Sequence, residues 1–517
     1  MFLESTMWEF IPTAIANLFL PMNLFVLIAG MFGGIILGTL PGLTATMGVA
    51  LMVPVTFAMD TTTGLIMLGS IYAGCIYGGA NAAILVNTPG TPSSVATTFD
   101  GWPMCQKGEA DRALITSLYC SAFGGIVGTI FLLFLSAPLA RFAVRFGGPE
   151  TFWICLFGLS TIAIMSKGNM IKGLIAGALG LLAATVGIDP HSAAPRFTFG
   201  HHPLISGVEI IPAMIGLFSF SQVLYLIGSH KPFIAKYEPA RGRTFSAFVE
   251  MFSKCTSVLI RSSLIGVLIG MLPGAGGSIA SIIAYNETKR WDKNPDRFGK
   301  GAIEGVVASE TANSALIGGA MIPTLTLGIP GCAVAAVMLG ALTAKGIQPG
   351  FKIFTETGEL AYTFIMSQFA ANLVMIPIGL LLLRFTVRLL TVRVTFVAVG
   401  IVMLSVIGAY AIRNSMLDVW IVIVFGVIGY FAKRVGLDTG AMALGLILGP
   451  MIEEGFSRSI SLSRAYDGSL LMVFWQSNIV LVLIFLTALS LLTPLMMEWK
   501  LRRLRRMKAH EKEAADA

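Results

Sequence analysis

The chain has 517 residues, 55% hydrophobic and 12% charged, with a mean hydropathy of +0.82 and a net charge of +8. That composition lies outside the soluble globular range, and the long apolar runs lack the alternation of a transmembrane barrel. The cations gather in loops and in the basic tail at 500–508, as expected of cytoplasmic ends facing anionic lipid and not of a nucleic-acid surface.

The N-terminal segment has no basic n-region, so no cleaved signal is expected. The first 106 residues contain neither Lys nor Arg, which places their loops on the periplasmic or extracellular side. A hairpin over 24–57 breaks at Leu40-Pro41-Gly42 within GTLPGLTATMG. Proline removes a backbone donor and glycine loosens the helix where no water repairs the ladder. A helix over 64–86 follows, dense in the small residues that let backbones approach, and it ends at Pro89-Gly90 in NTPGTPSS. Spans are expected at 117–140, 150–166, 169–187 and 204–228. Between the last two runs GIDPHSAAPRFTFGHH, whose Asp189, His191, Arg196, His201 and His202 lack metal-ligand spacing and read as a docking or structural loop. The basic stretch 229–261 is expected in the cytoplasm.

A second hairpin over 262–285 breaks at Leu272-Pro273-Gly274 in GMLPGAGGSIAS, 232 positions after the first. Its arms are expected to hold about ten residues, or about 15 Å, which suits a re-entrant pair. A loop bearing Lys289, Arg290, Lys293, Arg297 and Lys300 leads to a helix over 302–327 and a break at Pro330-Gly331 in GIPGCAVA. Further spans at 360–383, 394–411, 416–432, 437–452 and 470–496 bring the expected total to about 12. Equivalent loops carry opposite charge signals. The expected fold is therefore an all-α polytopic membrane protein of two inverted-topology repeats with broken helices or re-entrant hairpins. The first repeat would occupy 1–228, a cytoplasmic linker 229–256, the second repeat 257–497 and a basic cytoplasmic tail 498–517.

Unwound backbone offers carbonyls to a cation, and half-helix N-termini offer N–H groups to an anion. The candidate binding residues therefore cluster at the breaks: Pro41, Gly42, Leu43, Thr44 and Thr46 at the first, and Asn87, Thr88, Pro89, Gly90, Thr91, Pro92 and Ser93 at the next. The later breaks contribute Pro273, Gly274, Ala275, Gly276, Gly277 and Ser278, then Thr324, Thr326, Gly328, Pro330 and Gly331. Ser and Thr also back-bond to helix carbonyls, so any one hydroxyl has a structural alternative. Glu310 and Asn313 lie within the 302–327 helix, and an intramembrane acid is a functional candidate. Glu310 is the candidate for proton or sodium coupling, with a helix-fixing hydrogen bond as its alternative role, whereas Glu304 lies near the interface. A sodium ion would sit at the LPG and NTPG breaks, with no defined ligand set. The six cysteines form no zinc or redox spacing, and no Walker A, G-x-S-x-G or H-E-x-x-H motif occurs. No enzyme activity or cofactor is expected, and transport energy would come from an ion gradient.

The stretches GTLPGLTATMGVALMVPVTF, YGGANAAILVNTPGTPSSVATTFDGWPMCQKGEADRAL, DPHSAAPRFTFG and GMLPGAGGSIASIIAYNETKRW, with FGKGAIEGVVASETANSALIGGAMIPTLTLGIPG, carry a resemblance. They resemble the large membrane subunit of the tripartite tricarboxylate transporters, the TctA family, over about residues 20–470. The resemblance implies a multi-pass secondary transporter of the bacterial inner membrane with a cytoplasmic C-terminus. It would work with a small four-span membrane subunit and a periplasmic substrate-binding protein. Its cargo would be a tricarboxylate, dicarboxylate or aromatic acid, moved by symport with sodium or a proton in an elevator-like cycle. The loop at 58–63 is then a candidate docking surface. Three positions depart from the family pattern: Ser314 follows Asn313 in place of a second asparagine, Cys332-Ala333-Val334-Ala335 replaces a more polar run, and Gln222 stands where many members have Glu. Fewer polar groups near Pro330 weaken a direct transfer of tricarboxylate specificity. The alternatives are an ion channel, for which no charge ring or carbonyl filter is evident, and a carrier for a non-carboxylate anion.

Overall fold

Two sets of elements with the same order and nearly the same lengths dominate the architecture. The computed structural model describes residues 2–40, 42–165, 170–189, 192–227, 244–274, 276–390, 394–464 and 469–492. Pro41, His191, Ala275, the linker up to residue 243 and the 498–517 tail lie outside the described residues. The chain divides into two units, Met1–Arg145 with Val208–Arg434, and Phe146–Gly207 with Val435–Ala517.

The first unit holds both sets of broken helices. Pro21–Thr39 and Thr256–Met271 each run into an extended leucine, Leu40 (φ −73°, ψ 118°) and Leu272 (φ −82°, ψ 119°). Gly42 and Gly274 follow at φ 87° and 77°, a left-handed backbone that glycine adopts without a Cβ penalty. The return arms are Ala45–Phe57 and Gly276–Trp291. Both arms of the second hairpin hold 16 residues, not about ten. Polar flanks such as Glu287, Lys289 and Arg290 are good helix formers and prolong the helix beyond its apolar stretch.

The long helices Thr61–Val86 and Ile303–Leu327 come next, almost wholly buried, and end in the left-handed residues Asn87 (φ 51°) and Gly328 (φ 69°). After each break stands a 12-residue helix, Val95–Gln106 or Ala333–Ala344. The backbone contacts at the breaks also recur. A Cβ on Gly90 would lie 2.3 Å from the Gly38 carbonyl oxygen, and one on Gly331 would lie 2.3 Å from that of Gly270. Residues up to the hairpin return therefore correspond at an offset of 232, and residues of the long helix and later break at 241. Ala110–Ala143 then packs on Ile303–Leu327, while Gly358–Leu383 packs on Thr61–Val86. Each set thus covers the long helix of the other.

Among the described residues, six helices are long and apolar enough to cross a membrane, or up to seven when one bent pair counts as a span. Two of the expected spans, 169–187 and 204–228, hold apolar helices of only 10–17 residues, Met170–Ala184 and Ile210–Tyr225. The segment expected as a span at 204–228 contains a π-helical stretch, Ile215–Phe220, between Ile210–Met214 and Ser221–Ile227. The one expected at 470–496 bends by 100° between Leu470–Gln476 and Asn478–Leu492.

In the second unit Thr439–Ser463 packs on Gly148–Met165 and Met170–Ala184. Phe152 gathers Trp153, Phe456 and Phe474 around its ring. The DPHSAAPRFTFG loop pairs Gly187–Ile188 with Pro195–Arg196 as a short antiparallel ladder. Arg196 reaches Glu453 at 2.5 Å, so this arginine ties the loop to a helix.

Candidate functional site

The NTPGTP break and the second LPG break, distant in sequence, meet within the first unit. Pro92–Ser94 forms one 3-10 turn leading into Val95–Gln106, and this turn packs against Gly276–Trp291. A Cβ on Gly277 would lie 2.5 Å from Ser93 Cβ and 2.7 Å from Asn313 Oδ1. Only glycine admits that approach. The first N–H groups of a helix have no intrahelical partner, and here two helix beginnings face one another. Ser94 and Thr91 make no side-chain cap onto them, because the Thr91 hydroxyl bonds Ser93 at 2.9 Å and Ser94 at 3.0 Å. Asn313 is fully buried, and neither its amide nitrogen nor its amide oxygen has a hydrogen-bond partner. Buried polar groups are normally paired, so this amide is equipped to bind something between the two helix ends.

Glu310 lies one turn before Asn313 and is fully buried. The Thr97 hydroxyl donates to one of its oxygens, and that of Ser121 to the other at 3.4 Å. Thr97 also bonds the Ser309 hydroxyl at 3.1 Å. These partners are neutral. Thr97, Ser121 and Ser309 escape the sequence reading, although Thr97 and Asp100 share one face of Val95–Gln106 at i and i+3.

Asp100 is the other residue the sequence conceals. One of its carboxylate oxygens accepts from the backbone N–H groups of Gly299, Gly301 and Ala302 at 2.9, 2.7 and 2.8 Å, and the other from the Tyr285 hydroxyl at 2.8 Å. It thereby ties the first set to the start of the Glu310 helix. Just before that start, Arg297 joins Asp292 at 2.6 Å and Glu304 at 2.9 Å. The hydrogen bond from Arg297 holds the half-buried Asp292 carboxyl below its ordinary range.

The remaining candidates divide into several environments. Asn87 and Thr88 are exposed, and Thr88 bonds the Val86 carbonyl at 3.2 Å. Pro89 and Pro92 lie at the rim, while Gly90 is buried against Gly38. Leu43 is enclosed by Met47, Leu51, Val223, Ala398 and Ile401. Thr44 caps its own helix, accepting from the Met47 N–H at 3.2 Å, and Thr46 is buried in the first turn. Pro273 is buried, and Gly276 and Ser278 are half-buried. Thr324 and Thr326 donate to the Ala320 and Ile322 carbonyls at 2.6 and 2.7 Å, the back-bonding alternative. Pro330 and Gly331 are buried in the last break. There the Tyr72 hydroxyl meets Cys332 Sγ at 3.2 Å, and the Ala335 N–H donates to the same sulfur at 3.5 Å. Gln222 accepts from the Lys433 ammonium at 2.8 Å.

The tripartite tricarboxylate transporter TctA family model matches residues 24–444. An uncharacterized 52.8 kDa protein of the TAR-I ttuC' 3' region of Agrobacterium vitis is 36% identical over 446 residues, covering 86% of this chain and 88% of that protein. A second uncharacterized protein, from the TAR-II ttuC' 3' region of the same organism, is 40% identical over 199 residues, covering 38% of this chain and 82% of its own. No solved structure matches the chain. A match of this extent identifies a multi-pass membrane transport protein and points away from an enzyme: the chain belongs to the TctA family, the large subunit of a tripartite tricarboxylate transporter.

Proposed function

We propose that this chain carries an organic carboxylate across the bacterial inner membrane, driven by a sodium or proton gradient, with its C-terminus in the cytoplasm. The observation that carries the proposal is the polar junction, where two helix beginnings converge on the unpartnered, fully buried amide of Asn313. Helix N-termini and an amide N–H₂ suit a carboxylate, which supplies both charge and acceptors. Ser93, Gly276, Gly277, Ser278 and Asn313 hold the acid, with the Gly90–Thr91 backbone behind Ser93.

Glu310 is the coupling group. A buried carboxylate with neutral neighbours needs a cation, either a proton or a sodium ion, to offset its desolvation. Thr97 and Ser121 would then share that cation or orient the protonated carboxyl. The two sets of broken helices, in 1–228 and 257–497, act as inverted-topology repeats in an elevator-like cycle. A small four-span subunit and a periplasmic binding protein complete the system, with the loop at 58–63 as the binding protein's docking surface.

Uptake into proteoliposomes that contain this chain, its small subunit and the matched binding protein tests the proposal. Organic acids are offered under an imposed sodium or proton gradient. Glu310→Gln is expected to lower gradient-driven uptake by about tenfold or more, or about 1.4 kcal/mol of barrier, and to abolish its dependence on the gradient. Wild-type uptake that needs neither gradient nor binding protein would overturn the reading, and a charge-selective leak would identify a channel.

A further inference from the structure

The three helices that form the polar junction are tied together, away from it, by one side chain. Asp100 is fully buried. One of its oxygens collects the Gly299, Gly301 and Ala302 N–H groups, and the other the Tyr285 hydroxyl. Gly299 and Gly301 take φ of 82° and 97°, and such left-handed turns aim backbone N–H groups inward at an anion. A Cβ on Gly305 would press on the Asp100 carboxylate and lie 2.8 Å from Tyr285 Cε2, so the node closes without slack. Phe99 and Phe298 stand edge-on to the Tyr285 ring, at 5.3 and 5.6 Å between centroids.

Node and junction sit on the same rods. Ser93 precedes Asp100 in the turn leading into Val95–Gln106, Gly277 precedes Tyr285 on Gly276–Trp291, and Asn313 follows Ala302, which begins Ile303–Leu327. These separations are about 10, 12 and 16 Å at helical rise. Midway, Thr97 bonds Ser309 at 3.1 Å and donates to Glu310. Val95–Gln106 and Gly276–Trp291 each start just after a break, so no ladder from the preceding helix holds them. The placing of their junction ends therefore depends on what fixes them further along. A tilt of about 5° over a rod of about 12 Å moves its end by about 1 Å.

We propose that Asp100 and Tyr285 are positioning residues of the transport site, whose shared node sets the spacing of Ser93, Gly277 and Asn313 and holds Thr97 on Glu310. This role rests on the reading of the junction as the place where the acid binds, and neither residue touches the acid.

Uptake by proteoliposomes of the full chain, its small subunit and the matched binding protein is measured against acid concentration under a fixed gradient, with thermal unfolding beside it. Tyr285→Phe keeps the ring packing and removes one donor. It is expected to raise the half-saturating acid concentration about threefold or more, with the maximal rate within about twofold of wild type. Asp100→Asn, which keeps the shape and loses the charge, should raise it about tenfold or more. The double variant should shift it by less than the product of the two, because both loosen one node. Asp418→Asn is the comparison. That carboxylate is as deeply buried and accepts from Arg413 at 2.6 and 3.0 Å, on a helix outside the junction, so its loss should lower the unfolding temperature and leave half-saturation unchanged. Unchanged half-saturation in both Tyr285→Phe and Asp100→Asn, whether with lower stability or with a lower maximal rate alone, overturns the proposal. Asn313→Ala in the same assay separates the two readings. A shift there with none in the node variants discards the node alone; a shift in the node variants with none there discards the junction as the binding place, and the role assigned here with it.

Discussion

The two breaks that end the long helices share a backbone and differ in chemistry. At the polar junction stand Gly277, Ser93 and Asn313; at the corresponding positions of the other set, by the 232 and 241 offsets, stand Ala45, Val334 and Tyr72. The second group is closed on itself. Tyr72 is bonded to Cys332, Cys332 accepts from Ala335, and Thr44 caps its own helix. In the first, hydroxyls bond one another and the Asn313 amide remains without a partner. Proline and glycine therefore create an interruption, but the side chains beside it decide whether its polar groups are consumed or presented. The same contrast separates Glu310 from Gly69, its counterpart by offset, where a Cβ would lie 2.1 Å from Gln368 Nε2.

The sharpest way to break this comparison is to fill the polar junction. Gly277→Val places branched carbon where Ser93 and Asn313 already press within van der Waals distance. Displacing a binding group by about 1 Å can cost about 100-fold in rate, and a loss of that order in uptake is expected. Cys332→Ala at the closed junction removes a weak cap and should change uptake less than about twofold. Equal losses in both variants would mean that the two junctions are not functionally distinct.

A smaller effect is expected from the amide. Asn313→Ala should raise the half-saturating acid concentration about tenfold or more, since a hydrogen bond to a charged group contributes about 1.5–3 kcal/mol. Its counterpart Tyr72→Phe should leave uptake intact and lower stability by about 1 kcal/mol, as one buried hydrogen bond is lost. Uptake kinetics and thermal unfolding read the two outcomes separately. A shift in saturation for Tyr72→Phe with none for Asn313→Ala would reverse the assignment of the junctions.

The breaks themselves were legible in the sequence because proline and glycine act locally, and Glu310 and Asn313 were legible as polar groups in an apolar helix. What was not legible is which break meets which. Ser93 approaches Gly277, and Thr97 reaches Glu310 across 213 residues; no local period encodes such pairings. Asp100 stayed hidden for another reason: three of its four partners are backbone N–H groups, which leave no residue type to recognise. The length of the second hairpin is not encoded in hydropathy, because its 16-residue arms continue through polar helix formers beyond the apolar stretch.

The finest distinction concerns hydroxyls that sequence reading treats alike. Thr324 and Thr326 stand near the last break and looked as suitable for binding as Thr91 or Ser93. Each donates its proton to a carbonyl four residues earlier, at 2.6 and 2.7 Å, so its donor is already committed within its own helix. Thr324→Val and Thr326→Val keep the branched shape and remove only that back-bond. Uptake in each should stay within about twofold of wild type, since substitutions away from a binding or packing mechanism have small effects. A tenfold loss in either would show that the back-bonded hydroxyl turns toward the transported acid or ion during the cycle, and would bring the last break into the site.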